Sequence, residues 1–94
     1  MVALSVEFLV GETVTIQGRM MDMYRNILLD ADSGTVTVKL GDVTKVDEQP
    51  MTKVQDGVFE YYYVPDETGF HEAMVTLVKS GKILKEKSYF RVVE

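Results

Sequence analysis

Period-two alternation constrains this chain more than any other feature. Val14, Ile16, Gly18 and Met20 alternate with Thr13, Thr15, Gln17 and Arg19. In a strand, successive side chains point to opposite faces, so this run predicts one buried face and one wet face. Val36, Val38 and Leu40 repeat the pattern against Thr35, Thr37 and Lys39. Val2, Leu4, Val6 and Phe8 share a parity before Gly11-Glu12 interrupts the run. The β-branched residues in these runs favour strands, and no helical period of useful length competes.

Two hairpins follow from turn chemistry. Asp56-Gly57 separates residues 51–55 from 58–64, and Ser80-Gly81 separates 70–79 from 82–93. Each two-residue turn needs backbone with positive φ, which Gly supplies at little cost. A two-residue second turn sets Leu77 opposite Leu84, Ala73 opposite Ser88 and His71 opposite Phe90. It sets Val78 opposite Ile83, Thr76 opposite Lys85 and Glu72 opposite Tyr89. Val75 opposite Glu86 is the one poor pair, and a bulge would relieve it. Strands are thus expected near 2–8, 12–20, 35–40, 51–55, 58–64, 70–79 and 82–93. Residues 21–33 form the longest irregular piece, as a helical turn or a loop over one end. Seven short strands with turn signals between them predict a sandwich.

The totals exclude several classes. Ninety-four residues suffice for one domain. Fifteen acidic against ten basic residues give a net charge of −5. That sign opposes non-specific nucleic-acid binding and docking on anionic lipid. The absence of cysteine removes disulfides and thiolate metal sites. No apolar run nears the roughly 20 residues of a membrane-spanning helix, so no membrane insertion is expected. Residues 1–10 lack a basic n-region and do not read as a signal peptide. Met1 fits a complete short protein and a piece of a longer one equally.

Several segments together resemble a family. Residues 11–16 (Gly-Glu-Thr-Val-Thr-Ile) resemble the G-D/E-x-V-x-I/L second strand of bacterial, archaeal and phage immunoglobulin-like domains. Residues 29–38 are similar to the loop and third strand of those domains. Gly57, Phe59 and Tyr61 match the G-x-F/Y-x-Y/F fifth strand. Residues 68–71 resemble the T-G-x-Y corner that opens the sixth strand, and residues 90–93 the closing F-x-V strand. His71 stands where the corner usually has Tyr. The resemblance covers nearly the whole chain and implies a seven-stranded immunoglobulin-like antiparallel β-sandwich. The nearest likenesses are macroglobulin-type and fibronectin-type surface modules and short phage structural proteins. They imply a non-catalytic module on a virion or cell surface, with a protein partner or self-assembly.

Candidate chemistry is sparse. His71 is the only histidine, and its core parity marks it as a hydrogen-bonded structural residue. It shares that parity with Ala73, Val75 and Leu77, so an inward ring bonding back to the turn is expected. Asp30 and Asp32, in Asp-Ala-Asp-Ser-Gly, open like a calcium loop, but the twelfth position is Gly41 instead of an acid. They remain the candidate metal ligands. A calcium- or carbohydrate-binding module using the 21–34 loop is the alternative function, and no other cofactor is expected. Phe59, Tyr61, Tyr62 and Tyr63 are the candidate interface, because one strand carries large residues on both faces. Either Tyr62 or the Phe59/Tyr61/Tyr63 row must face outward. Lys79, Lys82, Lys85, Lys87 and Arg91 concentrate positive charge on the last hairpin, where edge protection explains them. No phosphate loop, nucleophile elbow or zinc-protease motif is present, so no enzyme is expected.

Overall fold

The computed structural model describes residues 7–22, 24–25 and 27–94. The expected strand over 2–8 therefore falls largely outside the described residues, of which Glu7 and Phe8 remain. Strands dominate: β1 (Glu7–Leu9), β2 (Val14–Arg19), β3 (Met21–Asp22), β4 (Ile27–Leu28), β5 (Ser33–Leu40), β6 (Val43–Pro50), β7 (Thr52–Gln55), β8 (Val58–Tyr63), β9 (Gly69–Lys79) and β10 (Lys82–Val93). No helix long and apolar enough to cross a membrane occurs among the described residues.

Eight of these strands form two sheets. The larger has the order β1-β10-β9-β5-β6 and the smaller β2-β8-β7, while β3 and β4 pair as a separate ribbon. The sheets face one another as a sandwich. Val14 and Ile16 of β2 and Phe59 and Tyr63 of β8 close on Val36 and Val38 of β5 and on Ala73, Val75 and Leu77 of β9. Two glycines let the sheets approach. A Cβ on Gly18 would sit 2.5 Å from Val75, and one on Gly34 2.8 Å from Leu77 and 3.2 Å from the Phe59 ring. Val75 thus fills the space beside Gly18, and Leu77 and Phe59 the space beside Gly34.

The seven expected strands become eight in the two sheets. The unforeseen one is β6, a polar edge strand whose only buried residue is Val46. Edge strands are commonly polar, so β6 lacks the alternation that marks the others. Its pairing with β5 shifts register around Val36 and Val38, and Glu48 takes a φ of 44° there. The Glu48 N–H, turned out of the ladder, donates to Thr37 Oγ1 at 3.2 Å. Residues 21–33 hold the β3–β4 ribbon in place of a helical turn or plain loop. The sandwich is also not wholly antiparallel, because β1 runs parallel to β10.

The last hairpin keeps the expected register throughout, from Lys79 opposite Lys82 to Gly69 opposite Val92. Ser80 and Gly81 both take positive φ, as a two-residue turn of this hand requires. No bulge accompanies Val75 and Glu86. The pair is tolerated because Val75 lies in the core while Glu86 lies in solvent. The smaller sheet covers β9 at this level, where Gly18 of β2 meets Val75.

Candidate interaction surface

The β8 aromatics divide by parity. Phe59 and Tyr63 are buried, and Tyr61 packs against the core at its side. Tyr62 alone turns outward, 62% exposed. Its hydroxyl donates to Glu60 Oε1 at 3.0 Å, and the Glu60 carboxylate pushes the Tyr62 phenol above its ordinary pKa. Gln17 donates to the other Glu60 oxygen at 3.1 Å, and Arg19 Nε donates to Gln17 at 3.0 Å. The outer face of the smaller sheet is thus a chain of mutually satisfied polar groups around one tyrosine.

Asp30 and Asp32 are drawn to different partners. Lys53 Nζ lies 2.5 Å from Asp30 Oδ1, and this bond holds the Asp30 carboxyl below its usual range. Asp32 Oδ2 accepts the Ser80 N–H at 2.8 Å and so ties the segment before β5 to the β9–β10 turn. Among the described residues no group of three His, Cys, Asp or Glu side chains gathers as a metal site would require. A calcium ion at Asp30 would first have to displace Lys53.

His71 lies inward and fully buried, as its parity predicts. Its Nδ1 is 3.1 Å from Gly69 O, which only accepts, so the ring proton sits on Nδ1. The ring stacks on Phe90 with centroids 5.0 Å apart and planes 13° apart. Tyr63 tilts against both rings, and Phe8 meets Phe90 edge-on. Among the described residues the Tyr63 hydroxyl and His71 Nε2 are buried without a hydrogen-bond partner. Burial pushes the Tyr63 phenol up. Above this cluster Lys45 of β6 bonds Glu67 at 2.5 Å and Asp66 at 3.0 Å, clasping the β8–β9 connection. These bonds raise the lysine and lower Asp66. His71 is thus buried and packed among the rings of Tyr63 and Phe90.

The aromatic surface that sequence reasoning missed is on the larger sheet. Phe70 of β9 and Tyr89 of β10 stack with centroids 5.6 Å apart and planes 13° apart. They remain 64% and 50% exposed. Ion pairs flank them: Arg91 with Glu7 at 3.2 Å, and Lys87 with Glu72 at 3.6 Å. In the hairpin register Phe70 lies opposite Arg91 and Glu72 opposite Tyr89, so aromatic and charged residues share one outer face. That diagonal was readable from the register once the parity of His71 had put Phe70 outside. Two large rings left half in water, ringed by charges, have the composition of a recognition patch. The fold and this face together define a two-sheet β-sandwich with one aromatic outer surface.

Comparison of the chain with family models, with curated proteins and with solved structures gives no match.

Proposed function

We propose that the chain is a non-catalytic immunoglobulin-like interaction module that binds through the outer face of its larger sheet. The stacked, solvent-exposed Phe70–Tyr89 pair carries this reading. Such a pair contributes about 0.5–1.5 kcal/mol to its own strand pairing. Burying the exposed ring area in a contact would add to that, and aromatic rings lose little side-chain entropy on binding.

Strand order supports the immunoglobulin-like part. In that architecture strands A, B, E and D form one sheet and C, F and G the other, with C′ added beside C in variable-type domains. Here β2, β8 and β7 stand as B, E and D, and β10, β9, β5 and β6 as G, F, C and C′. His71, bonding back to Gly69 near the start of β9, stands in for the corner tyrosine. A place on a virion or an extracellular surface, among copies of itself or on a larger chain, rests on the resemblance of the strand motifs.

Light scattering coupled to size-exclusion chromatography, over a wide concentration range, tests the self-assembling form. Concentration-dependent association is expected, lost in Phe70→Ser/Tyr89→Ser while the fold is kept. A monomer at every concentration, or association indifferent to both substitutions, would count against it.

A further inference from the structure

The outer face of the larger sheet carries charge as well as rings. With His71 and Ala73 turned inward, Phe70 and Glu72 of β9 lie outside. Their register partners share that face: Lys39 of β5 and Tyr89 of β10 flank Glu72, and Arg91 lies opposite Phe70. Lys85 and Lys87 continue the same parity along β10. Over these three strands four basic residues thus stand against Glu72, while Glu7 of β1 pairs with Arg91. Asp47 and Glu48 lie beyond, on edge strand β6. Lys39 and Lys85 have no acidic partner among the described residues. The surroundings of the Phe70–Tyr89 stack are therefore net positive in a chain whose net charge is −5.

Acid collects at one end of the sandwich. The Gly11 N–H donates to Pro65 O at 3.0 Å and the Val10 N–H to Val93 O at 3.1 Å, so the turn after β1, the β8–β9 connection and the end of β10 meet there. A hollow of about 560 Å³ opens among them, lined by Leu9, Val10, Thr68 and the carboxylate-bearing Asp66, Glu67 and Glu94. Leu9 and Val10 are exposed although apolar. Lys45, bonded to Asp66 and Glu67, is the one cation paired with these acids among the described residues. Exposed apolar area and excess carboxylate thus coincide, the complement of rings set among lysines.

We infer that the aromatic face of one copy of this chain docks on the acidic, apolar hollow of a second copy, so that copies join head to tail. This rests on the reading of the Phe70–Tyr89 face as the contact surface and names its partner. Two copies meeting through the same face would oppose lysine to lysine, whereas face on hollow opposes lysine to carboxylate. Phe70 and Tyr89 bury against Leu9 and Val10 of the next copy, and the lysines around them meet its carboxylates. Apolar burial supplies affinity, and charge fixes which surfaces meet. The contact is heterologous: every copy keeps one surface of each kind to offer, and the assembly closes as a ring or grows as a filament.

The test is self-association of the full chain by light scattering, with a thermal melt to check the fold of each variant. Glu67→Lys/Glu94→Lys leaves Asp66 to hold Lys45 and is expected to weaken association at least about tenfold, as is Lys39→Glu/Lys85→Glu. All four reversals in one chain are expected to restore it. Glu94→Lys alone, clear of the Lys45 clasp, should weaken it about threefold. Phe70→Ser/Tyr89→Ser has an intact hollow and Glu67→Lys/Glu94→Lys an intact face, so their equimolar mixture is expected to stop at a one-to-one dimer. Undiminished association of Glu67→Lys/Glu94→Lys, with Phe70→Ser/Tyr89→Ser monomeric, would overturn the head-to-tail contact and leave the aromatic face standing. So would a closed dimer of the unaltered chain. A monomer at every concentration, or association indifferent to Phe70→Ser/Tyr89→Ser, would overturn both this contact and the self-assembling form of the reading beneath it.

Discussion

The two halves of β10 share one backbone and one partner yet live in different environments. Both halves pair with β9 in an unbroken register. Over residues 90–93 the strand is sealed: β1 covers its edge, and Phe8, Tyr63 and His71 pack on Phe90. Over residues 82–89 no described residue pairs with its outer edge, and Leu84 and Glu86 line a groove. Hydrogen-bond pairing and burial are thus decided separately here. The hairpin fixes the first, and the reach of the smaller sheet bears on the second.

Truncation in each half should break the symmetry of the strand most visibly. Phe90→Ala is expected to cost about 3–5 kcal/mol, since it empties the centre of the aromatic cluster. Leu84→Ala, at a half-buried groove position, should cost less than about 1.5 kcal/mol. Urea denaturation of both variants measures the contrast, and equal losses would erase the distinction between the halves.

A gain is expected from the closed half as well. Tyr63→Phe removes a buried hydroxyl that has no partner among the described residues, so stability should rise by about 1 kcal/mol. A loss of similar size would mean that the hydroxyl is bonded after all.

The surface pair should behave differently from both. Tyr89→Ser should lower stability by at most about 1.5 kcal/mol, the worth of one exposed stack, while abolishing any association through that face. A larger loss in a thermal melt would reclassify the pair as structural.

The smallest effect concerns the clasp at the closed end. Asp66 is held below its ordinary 3.8 by Lys45, so its contribution is present above that pH and lost as pH falls through the lower folded value. Lys45 is raised above its ordinary 10.5 by Glu67 and Asp66, so its contribution is present below 10.5 and lost as pH rises through the higher folded value. Lys45→Met should therefore flatten both limbs of the stability–pH curve by a small loss that is largest between them, around neutral pH, and fades towards both extremes. An unchanged curve in the variant would show that the clasp does not couple to folding.

How much was legible follows from where burial and turn chemistry act. The β9–β10 register was readable residue by residue, because a two-residue turn fixes every pair beyond it. The inward His71 followed from parity alone. The Asp56-Gly57 hairpin was equally plain, with Gln55 opposite Val58. Strand β6 escaped because an edge strand needs no apolar face, although Leu40-Gly41-Asp42-Val43 carries a two-residue Gly-Asp turn that pointed to it. The β8 aromatics were read as a contact surface because two parities looked equally apolar. Only the close approach allowed by Gly18 and Gly34 shows that the Phe59 row is the core. The groove had a trace in the sequence too, in the mismatch of Val75 and Glu86. The pair needs no bulge, because Glu86 lies in solvent while Val75 lies in the core. The Phe70–Tyr89 stack depends on a diagonal between strands, which alternation along one strand does not reveal.

Amide hydrogen exchange along β10, read residue by residue, tests most directly whether one half is sealed and the other open. The account predicts strong protection for the amides of Arg91 and Val92, held between β9 and β1. Over 82–89 it predicts alternation, with amides facing β9 protected and those facing outward exchanging at nearly free rates. Uniform protection along the whole strand would contradict it, because something would then already cover the free edge.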